Sequence, residues 1–487
     1  MTDPGLPLVF TQTIDTELTH PKLLLLPKFI REQSAFGQLP GIKMSDIESY
    51  SSSGGHYMEF WAGPTRGEFK GLVRVYLERP VRVELRSSTG RDEAFEKQLV
   101  NVLLLILQFF EEEVRNSTLY IGFVPGSPKT AQLRSSRSVI RTIFSGNLMT
   151  LFLLSILIGI VVFYSLAAFG LEKYAPVALI ALMLVLVLSV GRLATLGSPW
   201  RITPASREVV IVQHSVPEGM LPQYLGEFRD RIRVAKERVY ELFLNCRGEV
   251  CAENVADIFA QAGLPARKED IIVKRIDVYG LVENAAKRFN MPPPAIVISG
   301  DPKPNAAATG FTKRLGTMII TMGLLVQLDE DEVEVVVGHE LSHLRFGDPI
   351  VLFSLVIAEY LARVYLYGQF LGGFFFLYLL GVFWLIFFFG KFLETRADLE
   401  AGYIIGRPKV MAEALKKIGF RRLVLEERFL EAGGSKLSEW LRFDPHPPLY
   451  FRIQQMESLD LAQPVPHPFL TSIRSVLSGI ARSRNVP

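Results

Sequence analysis

Three long segments without a charged residue constrain the fold of this chain more than any other feature. Residues 148–169 are 22 uncharged positions, residues 175–191 are 17, and residues 364–390 are 27. A helix needs about 20 mainly apolar residues to cross the hydrocarbon core of a bilayer. We therefore predict that the chain enters a membrane through internal segments. A buried helical pair in a soluble protein is the alternative for the first two segments.

The apolar segments predict two helical hairpins. The first lies within residues 146–193, where only residues 170–174 connect the two apolar runs. The second lies within residues 349–391, with helices expected at 349–367 and 371–390 on either side of a glycine-rich break. This arrangement gives four transmembrane helices, although the first helix of the second hairpin could stop short of a full crossing.

Basic residues flank the first hairpin, whereas its loop holds one lysine and one glutamate. Arg134, Arg137 and Arg141 precede the hairpin, and Arg192 and Arg201 follow it. Short loops rich in lysine and arginine face the cytoplasm. We therefore predict a multi-pass protein of the cell membrane with both flanks of this hairpin in the cytoplasm.

Charged residues still make up 21% of the chain, so water-exposed domains must accompany the apolar segments. We predict an α+β, predominantly helical protein with a soluble α+β domain at 1–145 and further soluble regions at 194–348 and 392–487. The net charge of +3 argues against nucleic-acid binding, which needs a strong basic excess. Cys246 and Cys251 are predicted to be free thiols, with a small disulfide loop as the alternative. The role of residues 1–145 is not indicated.

Local patterns give the main elements of the soluble regions. Apolar and polar residues alternate at 72–77 and 81–85, which predicts strands. A helix is predicted at 92–115, and its apolar centre is too short to cross a bilayer. Further predicted elements are helices at 220–243, 255–262 and 273–290, short strands at 295–299 and 317–321, and a helix capped by Asp329.

The segment His339-Glu340-Leu341-Ser342-His343 carries the H-E-x-x-H motif within a helical pattern. On a helix, His339 and His343 lie one turn apart on the same face, so both imidazoles can reach one Zn²⁺. Glu340 lies beside them and can take a proton from a zinc-bound water. A chance pair of helix-surface histidines is the alternative, but the chain has only seven histidines, which makes that coincidence rare.

A catalytic zinc needs a third protein ligand and an open position. Glu394 and Asp398 form an E-x-x-x-D pair that follows the second hairpin. On a helix, Glu394 could bind the metal while Asp398, one turn later, accepts a hydrogen bond from a ligand histidine. A solvated charged turn is the alternative. Because His343 and Glu394 must meet at one ion, the chain between them must cross the membrane an even number of times.

Several motifs together resemble the HtpX-like family of membrane zinc peptidases and, more distantly, the CAAX prenyl proteases. Besides H-E-x-x-H and E-x-x-x-D, they are P-N-A-A-A-T-G at 304–310, I-T-M-G-L-L at 320–325 and H-P-P-L-Y-F-R-I at 446–453. The resemblance spans residues 274–455 and leaves out residues 1–145. At Ala307 the family usually has phenylalanine, so the resemblance does not indicate the local packing or the adjacent substrate pocket.

The resemblance implies a gluzincin-type fold with one Zn²⁺ per chain, held by the two motif histidines and Glu394. It implies that Asp398 supports a ligand histidine and that His446 stabilises the oxyanion beside the substrate carbonyl. Arg452 would brace the site by pairing with a carboxylate. An extended substrate would add by backbone hydrogen bonds to an edge strand. That strand would comprise Asn305, Ala306, Ala307, Ala308, Thr309 and Gly310.

We therefore predict an integral membrane zinc-dependent endopeptidase, a hydrolase with Glu340 as a catalytic residue. By the resemblance, it would cleave membrane or misfolded proteins on the cytoplasmic side, in membrane protein quality control and the stress response. Its partners would be polypeptide substrates and the lipid bilayer. The alternatives are a CAAX-type prenyl protease, whose seven spans exceed the four predicted here, and a non-catalytic membrane adaptor, which would expect an incomplete ligand set. The physiological substrate, the cleavage preference and the oligomeric state are not indicated.

Overall fold

The computed structural model describes residues 6–35, 42–52, 55–65, 67–125, 148–182, 184–185, 200–217, 219–245, 251–310, 316–362, 374–462 and 467–484. This part of the chain is mostly helical and contains three small sheets. Contacts divide it into two compact units. Unit 1 comprises Met1–Pro125 and Val210–Arg275, and unit 2 comprises Gly126–Val209 and Ile276–Pro487.

The strands and helices are numbered here in chain order. The strands are β1 (Leu8–Ile14), β2 (Ile42–Ser52), β3 (Gly55–Pro64), β4 (Gly71–Tyr76), β5 (Val81–Arg86), β6 (Thr118–Phe123), β7 (Arg201–Ile202), β8 (Val209–Ser215), β9 (Ile271–Ile276), β10 (Ala295–Ser299), β11 (Ala306–Thr309) and β12 (Thr317–Thr321). The helices are α1 (His20–Leu23), α2 (Leu26–Ala35), α3 (Glu93–Arg115), α4 (Leu148–Ala167), α5 (Leu221–Leu225), α6 (Arg229–Asn245), α7 (Ala252–Gln261), α8 (Val278–Arg288), α9 (Met322–Gln327), α10 (Glu330–Phe346), α11 (Asp348–Ala362), α12 (Phe375–Ile405), α13 (Pro408–Glu431), α14 (Lys436–Leu441), α15 (Leu449–Glu457) and α16 (Pro468–Arg484).

An antiparallel sheet and one long helix form the first part of unit 1. The strand order is β1-β5-β4-β3-β2, and β4 and β5 confirm the strands predicted from alternation. The helix α3 begins after Asp92, whose carboxylate accepts a hydrogen bond from the amide of Phe95 at 3.1 Å. Its apolar side chains, Leu99 and Ile106 among them, are buried in one core with those of the sheet. The prediction of a core helix here is confirmed.

The second part of unit 1 is a sheet of order β6-β8-β9 covered by α5, α6 and α7. The helix predicted at 220–243 is divided between α5 and α6. The helix predicted at 273–290 is wrong for its first residues, because Ile271–Ile276 is strand β9. Helix α8 begins only after Asp277, which caps it by accepting a hydrogen bond from the amide of Gly280 at 2.8 Å.

Residues 210–275 pack with unit 1, whereas the sequence analysis grouped residues 194–348 into one region. The reason is the pairing of β6 with β8, in which Thr118 lies opposite Ser215. The pattern within a strand does not indicate which distant strand it pairs with. The boundaries of the soluble regions therefore differ from the sequence-based division.

The sheet of unit 2 has the order β11-β12-β10-β7. Strands β10 and β12 confirm the two short strands predicted from sequence, and they run parallel to each other. Strand β11 pairs antiparallel with β12 and lies at the edge of the sheet. One long side of β11 is therefore left without a strand partner in the described chain.

Helix α10 is the central element of unit 2 and packs against α8, α12, α13 and β11. It begins at Asp329, which forms a capping box with Glu332, as the sequence predicts for the cap. It ends at Gly347, whose φ of 71° is in the left-handed region that glycine adopts without strain. Its apolar side chains, such as Val335 and Val337, are fully buried.

Within the described residues, one helix is long and apolar enough to cross a membrane, and it is the 377–405 part of α12. Helices α10 and α11 meet at a bend of 52° and pass the same test only as a broken pair. Helix α4 lies in the first predicted hairpin, and residues 175–182 after it are also helical. Residues 183 and 186–193 of that hairpin and the break at 368–373 lie outside the described residues. Four crossings therefore stay a prediction.

Candidate metal centre

The two histidines of the H-E-x-x-H segment lie on one face of α10, as helical spacing requires. His339 Nε2 and His343 Nε2 are 3.1 Å apart, and both rings are shielded from solvent. Helix α10 is buried on nearly all sides, so the two rings are fixed by packing on rigid secondary structure. Two imidazole nitrogens at this separation can bind a single metal ion.

Helix α12 brings Glu394 to the same point. Glu394 Oε2 lies 3.5 Å from His339 Nε2, and Glu394 Oε1 lies 3.5 Å from His343 Nε2. The ligand atoms of the three residues all lie within 4.8 Å of one another. The chain leaves α10 through α11 and returns through α12, so residues on either side of the second apolar block do meet.

These donors fit a zinc ion in number and in kind. Two imidazole nitrogens and one carboxylate oxygen form a common catalytic set that leaves one position open. Glu394 Oε2 is also buried without a hydrogen-bond donor among the described residues. Nitrogens of His339, His446 and Arg452 lie 3.5 Å, 3.5 Å and 3.8 Å from this oxygen without forming a hydrogen bond to it. A bound cation would satisfy the buried oxygen directly.

Glu340 follows His339 on α10 and lies beside the edge strand of the sheet. Its Oε2 accepts a hydrogen bond from the backbone amide of Ala308 in β11 at 2.9 Å. Burial raises the pKa of the Glu340 carboxyl above its usual range. A carboxyl with a raised pKa is a stronger base than an ordinary glutamate, which suits a group that accepts and returns a proton.

Asp398 lies one turn beyond Glu394 on α12, behind the first histidine. Its Oδ1 is 2.9 Å from His339 Nδ1. Arg452 of α15 holds the same carboxylate with two hydrogen bonds of 2.7 Å, from Nε and Nη2. The residues that the sequence analysis assigned to supporting roles are therefore together in the structure.

An equivalent pair lies behind the second histidine, and sequence reasoning missed it. Asp348 Oδ2 is 2.6 Å from His343 Nδ1. Arg396 of α12 donates from Nη1 to Asp348 Oδ1 at 2.8 Å and from Nη2 to Oδ2 at 2.7 Å. The available signal was a carboxylate directly after Gly347, the glycine at which α10 ends.

His446 lies in the loop between α14 and α15, with its Nε2 3.5 Å from Glu394 Oε2. Its Nδ1 is 2.9 Å from Asp444 Oδ1, and Asp444 Oδ2 accepts a hydrogen bond from Arg422 Nη1 at 2.8 Å. Burial alone would raise the pKa of Asp444, but the hydrogen bond with His446 and the charge of Arg422 hold that pKa well below its usual range. Asp444 and Arg422 were not identified from sequence.

The loop that carries His446 is anchored directly to α12. Lys391 donates hydrogen bonds to the backbone carbonyls of Arg442 and Asp444. A Cβ on Gly390 would lie only 2.9 Å from the Cβ of Pro445, so the loop can pass this close only over a glycine. The loop is thereby fixed one turn before Glu394.

The predicted substrate strand is located beside this cluster. Ala306, Ala307, Ala308 and Thr309 form β11, and Gly310 follows it. Asn305 is tied to the sheet by its amide, which donates to Thr321 Oγ1 at 2.8 Å. The hydrogen bond from Ala308 to Glu340 connects the open edge of the strand to the centre of the site.

A H-E-x-x-H helix, a third candidate ligand on a following helix and an adjacent open strand edge are the arrangement expected of a metallopeptidase. Comparison with known proteins agrees: a sequence model described as Peptidase family M48 matches residues 274–460. The chain belongs to this family, in its HtpX-like branch. It is 31% identical over 202 residues to the Protease HtpX homolog of Neisseria meningitidis, covering 37% of this chain and 71% of that protein.

Two further relatives give the same result. Protease HtpX of Idiomarina loihiensis is 28% identical over 203 residues, covering 37% of this chain and 71% of that protein. Protease HtpX homolog 1 of Streptomyces coelicolor is 32% identical over 180 residues, covering 33% of this chain and 58% of that protein. The family match begins at residue 274, so it does not include residues 1–273.

Proposed function

We propose that this chain is an integral membrane zinc-dependent endopeptidase whose active site faces the cytoplasm. The observation that carries the proposal is the meeting of His339, His343 and Glu394 at one point, with the half-buried Glu340 beside them. Two of the ligands come from α10 and the third from α12. A non-catalytic adaptor would be expected to lack at least one of these four residues.

When bound, zinc supplies a Lewis acid and lowers the pKa of a coordinated water towards neutrality. Glu340 accepts the proton of the attacking water and then delivers it to the leaving amine. Burial makes this carboxyl more basic than an exposed glutamate, because its pKa is raised. Its hydrogen bond to the amide of Ala308 keeps it oriented next to the open strand edge.

An extended polypeptide adds to the open edge of β11 through backbone hydrogen bonds. The other edge of β11 is occupied by β12, so within the described residues the edge that faces Glu340 is the one free to accept a strand. Because the amide of Ala308 points towards Glu340, a peptide bound there has its backbone beside the general base. The small side chains of Ala306, Ala307 and Ala308 allow a close approach.

His446 stabilises the negative charge that develops on the scissile carbonyl oxygen. With Nδ1 directed at Asp444, its Nε2 is directed at the ligand cluster. Arg452 keeps Asp398 against His339. These side chains are held before substrate arrives, which is what makes such stabilisation effective.

Substrates are membrane or misfolded proteins, and the role is membrane protein quality control. Supporting this, α12 continues without interruption from apolar residues that are solvent-exposed in the fold, such as Leu377 and Leu385, to Glu394. The ligand therefore lies on the same helix as the membrane-length apolar segment. The arginines flanking the first hairpin support a cytoplasmic orientation.

The test compares wild-type protein with Glu340→Gln for zinc content and for cleavage of an unfolded protein in detergent micelles. We expect both proteins to bind one zinc per chain and only the wild type to cut. Glu330→Gln, an exposed glutamate in the first turn of the same helix, is the matched control and should cut normally. Equal cutting by Glu340→Gln, or a wild type unable to bind zinc, would contradict the proposal.

A further inference from the structure

The second ligand histidine has its own buried support, which neither the motifs nor the family match assigns. Asp348 is 3% exposed, and its Oδ2 lies 2.6 Å from His343 Nδ1. It is the first residue after Gly347, whose left-handed conformation turns the chain at the end of α10. This turn directs the Asp348 carboxylate back towards the histidine ring.

Arg396, which lies on α12, holds the Asp348 carboxylate. It is 2% exposed and donates to both oxygens of Asp348, at 2.8 Å and 2.7 Å. Its guanidinium also lies over the ring of Phe346, with the carbon 4.2 Å from the ring centroid. The bidentate geometry fixes both the position and the rotation of the carboxylate.

We propose that Asp348 and Arg396 are positioning residues for the metal ligand His343. The proposal rests on the zinc site described above. Asp348 holds the proton of His343 on Nδ1, so that the Nε2 lone pair is directed at the metal. Arg396 fixes Asp348, and because Arg396 lies two residues after Glu394, the turn of α12 that supplies one ligand also orients another.

The alternative is an ion pair that only joins the start of α11 to α12. The chain provides a matched control for this possibility, since Lys417 and Glu332 form another buried pair, between α13 and α10, with 2.7 Å between Nζ and Oε1. This pair lies at the opposite end of α10 from His343. Breaking it should weaken the fold without changing the metal site.

The experiment measures zinc affinity by chelator competition on the full chain in detergent, together with the visible absorption spectrum of the Co²⁺-substituted protein. Asp348→Asn keeps the side-chain shape but removes the charge. We expect its zinc affinity to fall by about 10–100-fold, the usual effect of losing a partner behind a ligand histidine. The cobalt spectrum should change as well, because the His343 ring is reoriented.

The controls separate this inference from the proposed function. Glu332→Gln should lower thermal stability and leave zinc affinity and the cobalt spectrum as in wild type. If Asp348→Asn fails to fold, Arg396→Lys keeps the charge but loses the bidentate geometry, and it should show a smaller loss of affinity. Wild-type affinity in the variant that folds, or an equal loss in Glu332→Gln, would overturn the positioning role. A wild type without zinc would instead overturn the proposed function.

Discussion

Each of the two candidate ligand histidines has behind it an aspartate that an arginine holds, but the two aspartate–arginine pairs come from different elements of the fold. Behind His339, the aspartate comes from α12 and the arginine from α15. Behind His343, the aspartate directly follows α10 and the arginine comes from α12. Helix α12 therefore gives an acidic residue to one support and a basic residue to the other, two positions apart.

This difference shows which contacts each ligand depends on. The support of His343 is complete within α10, α12 and the first residue of α11. The support of His339 also needs α15, whose preceding loop carries His446. Disturbing the support of His343 should therefore affect only metal binding. Disturbing the support of His339 should also affect the substrate side of the site.

The largest expected effect comes from Glu394→Ala, because this variant loses one of the three proposed metal ligands outright. Zinc affinity should fall by more than the roughly 100-fold that marks the loss of a supporting partner, and cleavage should be abolished. Zinc content and cleavage of an unfolded substrate measure this. Glu413→Ala, an exposed glutamate on α13, is the control. Full zinc occupancy in Glu394→Ala would exclude it as a ligand.

His446 extends the comparison to a histidine with an aspartate and an arginine behind it but a different task. His446→Ala should lower kcat by about 100- to 1000-fold, because a group that stabilises the oxyanion is lost. Zinc affinity should stay unchanged. Asp444→Asn should give a smaller loss of kcat, since the ring is still present but less well oriented. Loss of zinc in His446→Ala would assign this residue to the metal instead.

Asp398→Asn tests the difference between the supports of His339 and His343 directly. Its zinc affinity should fall by about 10–100-fold, as for Asp348→Asn. At saturating zinc, Asp348→Asn should recover wild-type kcat, whereas Asp398→Asn should not, because Arg452 and α15 lose their partner. Cleavage rates across a zinc titration measure both. Complete recovery by Asp398→Asn would show that the two supports are equivalent.

The smallest effect is expected from Gly347→Ala, which strains the turn that presents Asp348. A non-glycine residue in the left-handed region costs about 1–2 kcal/mol, so the melting temperature should fall. Zinc affinity should fall severalfold as Asp348 shifts. Gly406→Ala has the same strain at the end of α12, with a φ of 76°, and should lower stability alone. Equal zinc affinity in both variants would show that the turn at Gly347 does not contribute to the metal site.

The sequence predicted those parts of the site that depend on spacing within one helix. His339, Glu340 and His343 share one helix, and Glu394 and Asp398 share another, so helical geometry relates the members of each group. The cap at Asp329 and the strands β10 and β12 are similarly local. Their signals are carried by a few neighbouring residues.

What sequence could not predict depends on how separate elements pack. Arg396 and Asp348 meet only because α12 lies against α10, and Arg422 reaches Asp444 only because α13 lies beside the His446 loop. The placement of residues 210–275 in unit 1 depends on the distant pairing of β6 with β8. The number of membrane crossings likewise depends on segments that the structure describes only in part.

The unbroken course of α12 has a consequence for where cleavage can occur. Glu394 lies 17 positions after Leu377, and at 1.5 Å per residue this separation is about 25 Å, close to the thickness of a hydrocarbon core. If the apolar end of α12 lies in lipid, as the proposed function requires, the end that carries Glu394 would emerge at the headgroups. The depth at which a substrate is cut would then be set by the length of this one helix.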